Sequence, residues 1–276
     1  MFAFRRQYEK QIRIAERVSY RQARRIYLDA FIEGSKKYLE NQSFQGMNLV
    51  DVIKFRNLYI DIYHDTGMRF AKWYTRLFQT VAKKQNTFEE DIWEMVFRRY
   101  GEDQAGRLVT TVNQTMQDQF LATIQRQFQD PTFASLGVPE QARILYSDGF
   151  WGKKARWMAL RVARTENNTA ANLAINEASL SLFGSNQMQK IWDTSEDERV
   201  RDTHRQAGSI GAIPFDGWFQ VGSVRMRFPN DPQAQGIGKE VARERINCRC
   251  RMVTIPKEEI FEDLYTQVAN EFRNTV

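Results

Sequence analysis

Two cysteines and one histidine are the side chains of this sequence best suited to chemistry. Cys248 and Cys250 are separated by a single residue, and the two histidines of the chain are His64 and His204. Thiolate and imidazole are ligands that suit a tetrahedral Zn²⁺ ion, and a carboxylate can complete the set. His204, Cys248, Cys250 and Asp202 are therefore a candidate site for one structural zinc ion.

Two other interpretations of the same residues stay open. In one, the thiols are small buried apolar groups, no cofactor is bound, and His204 is a hydrogen-bonded partner of Asp197 or Arg201. In the other, Cys248 or Cys250 is a nucleophile, His204 its base and Asp197 the group that orients the base. The sequence carries no nucleophile-elbow serine motif and no phosphate-binding glycine loop to support an enzyme.

The local sequence predicts which elements would position these groups. Ser195 and Glu198 have the spacing of a capping box, so we expect a helix that places Asp197, Arg201 and His204 on one face. We expect a strand over residues 246–255, in which Cys248 and Cys250 point to the same side. His64 lies beside a helical stripe and is expected to be packed or solvated.

Apolar spacing divides the chain into three parts. Residues 1–184 show apolar steps of three to five residues, which predict long packed helices. Residues 185–256 have the shorter rhythm of a small mixed domain, with a half-exposed strand from Val224 to Phe228. Residues 257–276 predict a final amphipathic helix. The expected fold class is α+β, with a mainly helical N-terminal region, a small α+β domain and a C-terminal helix.

Individual positions mark the expected helix boundaries and cores. We expect Gly34 to end the first helix, the Asp130–Pro131 pair to break the third, and Gly184 to end the last long helix. The expected core stripes of the first two helices are Ala15, Val18, Ala23, Ile26 and Phe31, followed by Leu49, Ile53, Ile60, Tyr63, Gly67, Phe70, Tyr74, Leu77 and Val81.

Positive charge is concentrated in the helical region. The chain has a formal net charge of +6, and residues 1–190 alone carry +8. A solvated helix face and a surface for a polyanion such as double-stranded DNA both explain this excess. The candidate DNA-binding residues crowd one segment: Arg5, Arg6, Lys10, Arg13, Arg17, Arg21, Arg24 and Arg25.

Composition also excludes several classes of protein. Two cysteines cannot form a disulfide framework, and no apolar run reaches the roughly 18 residues of a membrane span. The first residues become polar at once, unlike a secretory signal. We expect the protein to be made in a reducing cytoplasm.

Motifs in a fixed order occupy the region from about residue 160 to residue 256. Their positions are Arg164, Thr165, Glu166, Trp192, Asp197, Arg201, His204, Gly208, Pro229, Asn247, Cys248 and Cys250. This order and spacing resembles the phage Mu F-like minor head proteins, also called phage head-morphogenesis proteins. In that family the helical region before these motifs is variable.

The resemblance implies a virion protein of a tailed phage or prophage and implies no catalysis. Such a protein would bind the portal at the capsid interior, first in the host cytoplasm during procapsid assembly and then at the portal vertex. Its implied partners are the portal protein, the major capsid or scaffolding protein, and packaged double-stranded DNA during packaging or ejection. The motif positions would have structural or metal-binding roles. A sequence-independent DNA-binding protein and a Cys/His thiol or zinc enzyme are the alternatives.

Overall fold

Long helices form the first part of the chain and short strands the second, so the α+β fold class is confirmed. The computed structural model describes residues 2–44, 48–78 and 90–256. The helices are Phe2–Asn41 (α1), Val52–Phe78 (α2), Glu90–Phe128 (α3), Pro131–Ala134 (α4), Val138–Leu145 (α5), Asp148–Phe183 (α6), Asp202–Ser209 (α7) and Gly238–Arg245 (α8). The strands are Met188–Asp193 (β1), Ile213–Pro214 (β2), Phe219–Val221 (β3), Val224–Met226 (β4) and Arg251–Pro256 (β5). The helix expected over residues 257–276 lies outside the described residues.

The first helix continues past the glycine that was expected to end it. Gly34 lies inside α1, which ends at Asn41, and the next residue, Gln42, has a positive φ of 51°. A Cβ at Gly34 would overlap the side chain of Leu49 and lie 3.2 Å from the ring of Phe120. The glycine therefore allows close packing between helices, and the prediction of a helix end at this position was wrong.

Four long helices form the main bundle. Helix α6 packs against α1 and α2, and α2 packs along α3. Residues 165–176 of α6 are buried on every side, which makes α6 the central helix. The Trp151 ring of α6 stacks between Phe31 of α1, at a centroid distance of 4.8 Å, and Phe120 of α3, at 5.2 Å.

Glycines bring α2 and α3 close together. A Cβ on Gly101 of α3 would lie 2.7 Å from the Cα of Ile60, and a Cβ on Gly67 of α2 would overlap the ring of Phe97.

Not every position of the predicted core stripes is buried. Val18 of α1 is 56% exposed and Ile53 of α2 is 71% exposed. These two apolar positions lie outside the part of each helix surface that neighbouring helices cover. The last predicted stripe residue, Val81, lies outside the described residues.

Residues with specific capping roles set the other helix ends. The Asp130 side chain accepts a hydrogen bond from the Thr132 amide and Pro131 begins α4, so the predicted break is confirmed. Ser147 caps α6 by accepting from the amide of Phe150. Gly184, with a φ of 75°, ends α6 as predicted.

Two antiparallel sheets complete the described fold. The first has the strand order β2-β1-β5, with Trp192 opposite Met252, and the second is the hairpin of β3 and β4, with Val221 opposite Val224. The hairpin turn begins at Gly222, whose φ of 59° suits a two-residue loop. The predicted strand at Val224 is confirmed, and it ends at Met226.

The buried apolar residues form a large core in the bundle and a smaller one in the strand region. The bundle core includes Met188 and Met252, so the larger sheet packs directly on the helices. The small core consists of Trp192, Ala207, Phe219, Val221, Val224, Met226, Cys248 and Cys250. Among the described residues, no helix combines the length and the apolar character needed to cross a bilayer.

Candidate functional site

The side chains of His204, Cys248 and Cys250 meet inside the small core. Nδ1 of His204 lies 3.5 Å from Sγ of Cys248 and 3.4 Å from Sγ of Cys250. The three donor atoms all lie within 4.8 Å of one another. His204 is 1% exposed and each cysteine is 2% exposed, so the cluster is closed to solvent.

The fourth residue of the predicted set lies elsewhere. Asp202 is the first residue of α7, and its side chain is 89% exposed. Its carboxylate accepts a hydrogen bond from Arg205 at 2.7 Å, one turn along the same helix. The structure therefore brings together three of the four predicted ligands and places Asp202 outside the cluster.

Two local predictions about this region were wrong. Helix α7 begins at Asp202 and not near Ser195, because Glu196 takes a positive φ of 55° and interrupts the backbone. Asp197 is thus not on the helix face of His204, and its carboxylate pairs with Arg249 at 2.6 Å. Strand β5 begins at Arg251, so the two cysteines lie in the loop before it.

Loop geometry still directs both thiols to the same side. Asn247 has a positive φ of 58°, and its amide donates to Oγ1 of Thr165 at 3.0 Å. The Cys250 amide donates to Sγ of Cys248 at 3.4 Å. Arg201 holds the preceding segment by donating to the carbonyl oxygen of Ile246 at 2.6 Å.

A buried carboxylate fixes the orientation of the imidazole. Nε2 of His204 lies 3.1 Å from Oε2 of Glu244, and Thr203 donates to the same oxygen at 2.9 Å. Because a carboxylate accepts, Nε2 carries the proton and Nδ1 presents its lone pair to the sulfurs. The Trp192 ring packs edge-on against the imidazole at a centroid distance of 5.3 Å.

The two thiols have opposite acid–base tendencies. The hydrogen bond from Cys248 is the largest cause that lowers the pKa of Cys250, to about 5. Burial raises the pKa of the Cys248 thiol well above its ordinary value. The opposite directions are those of two interacting thiols, of which one gives up its proton more readily than the other.

Asparagines of α6 hold the loop that carries the cysteines. Nδ2 of Asn168 donates to the carbonyl oxygens of Cys248 and Cys250, at 3.1 and 2.9 Å. The Asn172 amide donates to the carbonyl of Cys250 at 3.2 Å and accepts from the Met252 amide at 2.7 Å. The sequence analysis did not single out these asparagines or Glu244. For the two asparagines, the signal in the sequence was their spacing of four positions on an otherwise alanine-rich helix, which places both polar side chains on one face.

Some of the remaining motif residues bond to or pack against neighbouring elements. Glu166 is buried, which raises its pKa, and it accepts a hydrogen bond from the Tyr63 hydroxyl at 3.0 Å. Gly208 lets α7 approach β1, since a Cβ there would lie 3.2 Å from the Trp192 carbonyl oxygen. Pro229 is buried in the turn that follows Phe228, and Arg164 is partly exposed.

The N-terminal arginine of α1 belongs to this region and not to an open DNA-binding surface. The Arg5 guanidinium binds Asp193 of β1 at 2.6 Å and also contacts Glu196, and these contacts raise its pKa. Arg251 pairs with the same Asp193 carboxylate. Because acidic partners already bind the Arg5 guanidinium, this residue is less available to DNA phosphates than the other predicted DNA-binding residues.

The other basic residues of α1 form an exposed row. Arg6, Lys10, Arg13, Arg17 and Arg21 are exposed and follow one another at steps of three and four, which places them on one face of the helix. Arg25 is also exposed, whereas Arg24 is partly buried. We refer to Arg6, Lys10, Arg13, Arg17 and Arg21 as the α1 basic row.

Comparison with known proteins gives one match. The family model described as "Phage Mu protein F like protein" matches residues 103–253, which run from α3 through the cysteine loop into β5. No curated protein matches the chain, and no solved structure matches it. The matched segment includes His204, Glu244 and both cysteines.

Proposed function

The chain belongs to the phage Mu protein F-like family of head morphogenesis proteins, and from this premise we propose that it binds the portal inside a tailed-phage capsid. Bound there, it would support procapsid assembly and then DNA packaging or ejection. The observation that carries the proposal is the family match over residues 103–253. Major capsid or scaffolding protein would be a second contact in the same assembly.

Exposed apolar side chains on the bundle support a role in binding another protein. Trp157 and Leu160 lie one turn apart on α6 and are 50% and 39% exposed. Ile92 and Met95 have the same spacing on α3 and are 48% and 65% exposed. Large apolar groups in adjacent exposed positions are typical of interaction surfaces.

Closure of the cysteine cluster favours a structural protein over a thiol enzyme. A nucleophilic cysteine needs access to substrate, but Cys248 and Cys250 are each 2% exposed. Their backbone carbonyls are bonded to Asn168 and Asn172 of the central helix. The cluster thus has the features of a packed support for the small core.

Co-assembly with the portal protein of the same phage tests this function. The purified full chain should co-sediment with portal rings, and Trp157→Glu combined with Leu160→Glu should weaken that binding. Val138→Glu, at an exposed apolar position on α5, is the matched control and should bind normally. No co-assembly, together with normal heads from a phage that lacks the gene, would refute the proposal.

A second candidate activity, contact with packaged double-stranded DNA, is favoured by the α1 basic row. Its exposed cations extend over about 20 Å of helix at 1.5 Å per residue. Phosphate contacts require only cations in a suitable line and carry no sequence preference. The acidic residue Glu9 pairs with Arg13 at 3.5 Å, so this row is only partly neutralised by its own helix.

Salt-dependent DNA binding tests this second candidate. Replacing Arg13, Arg17 and Arg21 by Gln should lower affinity equally for unrelated sequences and reduce the slope of log K against log salt by about 2 to 3. Replacing Lys36, Lys37 and Arg99 by Gln removes the same charge from exposed sites outside the row. Equal losses in both triple variants, or no binding of the wild type at low salt, would exclude a specific role for the row.

A further inference from the structure

We propose that Nδ1 of His204 and the Sγ atoms of Cys248 and Cys250 bind one Zn²⁺ ion that holds the small core together. A tetrahedral ion with Zn–N of about 2.0 Å and Zn–S of about 2.3 Å separates its nitrogen and sulfur ligands by about 3.5 Å. The measured separations from Nδ1 to the two sulfurs are 3.5 and 3.4 Å. The nitrogen thus already lies at the distance from both sulfurs that ligands of a common ion have.

The imidazole is oriented as a metal ligand usually is. Histidines that bind metals donate their other ring N–H to a carboxylate or carbonyl, which fixes the tautomer and the ring direction. Here Glu244 receives the Nε2 proton of His204 at 3.1 Å, and Thr203 holds the carboxylate from the other side. The lone pair of Nδ1 therefore points to the sulfurs.

Charge balance also favours a cation. Zn²⁺ binds cysteine as the thiolate and releases the thiol protons, and its two positive charges balance the two thiolates around a neutral imidazole. The closed site would therefore bury no unpaired charge when the ion is bound. The amide of Cys250 donates to Sγ of Cys248, a contact that stabilises a thiolate ligand.

Three protein donors leave one position of the tetrahedron. Among the described residues, His204, Cys248 and Cys250 are the group of His, Cys, Asp and Glu side chains close enough to share an ion. The fourth ligand is then water or another oxygen atom. Glu244 does not supply it, because its carboxylate lies at Nε2, on the opposite side of the ring from Nδ1.

The position of the cluster gives the ion a structural task. His204 comes from α7, and the cysteines come from the loop between α8 and β5. The small core around them has few apolar residues, and cores of this size are commonly stabilised by a metal or a disulfide. One ion would cross-link segments that are more than forty residues apart in sequence.

Metal analysis of the wild-type full chain is the first test. Protein produced in zinc-supplemented medium, desalted without chelator, should contain about one zinc per chain, released when a mercurial reagent titrates the two thiols. Exchange with Co²⁺ should give the thiolate-to-cobalt charge-transfer band and the visible bands of tetrahedral coordination. Less than about 0.1 zinc per chain, or recovery of the cysteines as a disulfide, would overturn the proposal.

Variants separate the site from non-specific metal binding. Cys248→Ser, Cys250→Ser and His204→Asn should each lose the stoichiometric zinc. The His64→Asn variant lacks the other histidine, which lies on α2 beside Asp65, and it should retain the stoichiometric zinc. Glu244→Gln should bind zinc with an affinity lower by about 10- to 100-fold. Loss of zinc in the His64 variant to the same extent as in the His204 variant would contradict the assigned ligands, as would full retention of zinc in both cysteine variants.

Discussion

The side chain of Asn172 pairs with the backbone beside Met252 much as a neighbouring β-strand would. Its oxygen accepts the Met252 amide at 2.7 Å, while its nitrogen donates to the carbonyl of Cys250 at 3.2 Å. Strand β5 is at the edge of its sheet. It pairs with β1 on one side, and Asn172 lies on the other side. One amide of the central helix thus satisfies backbone groups that an unpaired edge would leave exposed.

Replacement of Asn172 by Ala should destabilise the fold strongly. The change leaves the Met252 amide without its acceptor and removes one donor from the Cys250 carbonyl, at a cost of about 2 to 4 kcal/mol in the free energy of unfolding. Urea unfolding of the full chain measures it. Asn176→Ala is the control, since the Asn176 amide donates to the adjacent Glu177 and should cost less than about 1 kcal/mol. Equal effects would contradict this role for Asn172.

Two glycines of α3 should respond in opposite directions to the same substitution. Gly101→Ala places a methyl group 2.7 Å from the backbone of Ile60, so α2 and α3 must separate, and we expect a loss of about 1 to 3 kcal/mol. Gly106→Ala has no atom within 4 Å and should gain up to about 1 kcal/mol from helix propensity. Thermal or urea unfolding of both variants provides the comparison. A gain at Gly101 would show that the close contact between the helices is not needed.

Arg5 should anchor the start of α1 to the strand region. Arg5→Gln removes charged hydrogen bonds to Asp193 and Glu196, and we expect it to destabilise the protein by about 1 to 3 kcal/mol. Hydrogen exchange should show faster opening of the first turns of α1. Arg6→Gln, at the exposed neighbouring position, should change stability by less than about 0.5 kcal/mol. If both variants open α1 equally, Arg5 is not the anchor.

Lys190 should make stability depend on pH above neutrality. Burial lowers its pKa from 10.5 to about 8, and its Nζ lies over the rings of Phe215 and Phe219. Between pH 8 and 10.5 the unfolded chain binds this proton and the folded chain does not, so the contribution of Lys190 to stability rises with pH. Below pH 8 the Lys190 amine is charged in both the folded and the unfolded chain. The folded state then bears the full cost of burying that charge, so Lys190 destabilises the protein most in this range.

Comparison with a neutral side chain isolates this effect. Lys190→Met should stabilise the protein most at pH 7, and its advantage over the wild type should shrink as the pH rises from 8 to 10. Urea unfolding across this range gives the difference at each pH. Lys239→Met, at an exposed position, should show no such trend. A constant advantage of Lys190→Met over the whole range would mean that Lys190 does not titrate in this window.

The sequence predicted well what depends on local spacing. Apolar periodicity indicated the long helices, and the Asp130–Pro131 pair and Gly184 marked two real boundaries because each acts through its own backbone. The grouping of His204 with Cys248 and Cys250 followed from the chemistry of their side chains. The assignment of residues 1–184, 185–256 and 257–276 to separate domains stays a prediction.

Errors arose where distant contacts override local preference. Gly34 has the character of a helix end, but the packing of Leu49 and Phe120 against it decides its place inside α1. The capping-box spacing at Ser195 predicted a helix start there, but Glu196 takes a positive φ and α7 begins at Asp202. Asp202 was chosen by proximity in sequence to His204, and residues two positions apart on a helix do not share a face.

The pairing of Tyr8 with Asn168 has a consequence for the order of synthesis. The Tyr8 hydroxyl donates to Asn168 at 2.7 Å across a separation of 160 residues. A ribosome adds about 5 to 20 residues per second, so α1 leaves it on the order of ten seconds before the helix that covers its apolar face exists. During that interval the described helices available as partners for the nascent α1 are α2 to α5. Completion of the bundle core must therefore wait until α6 has been translated.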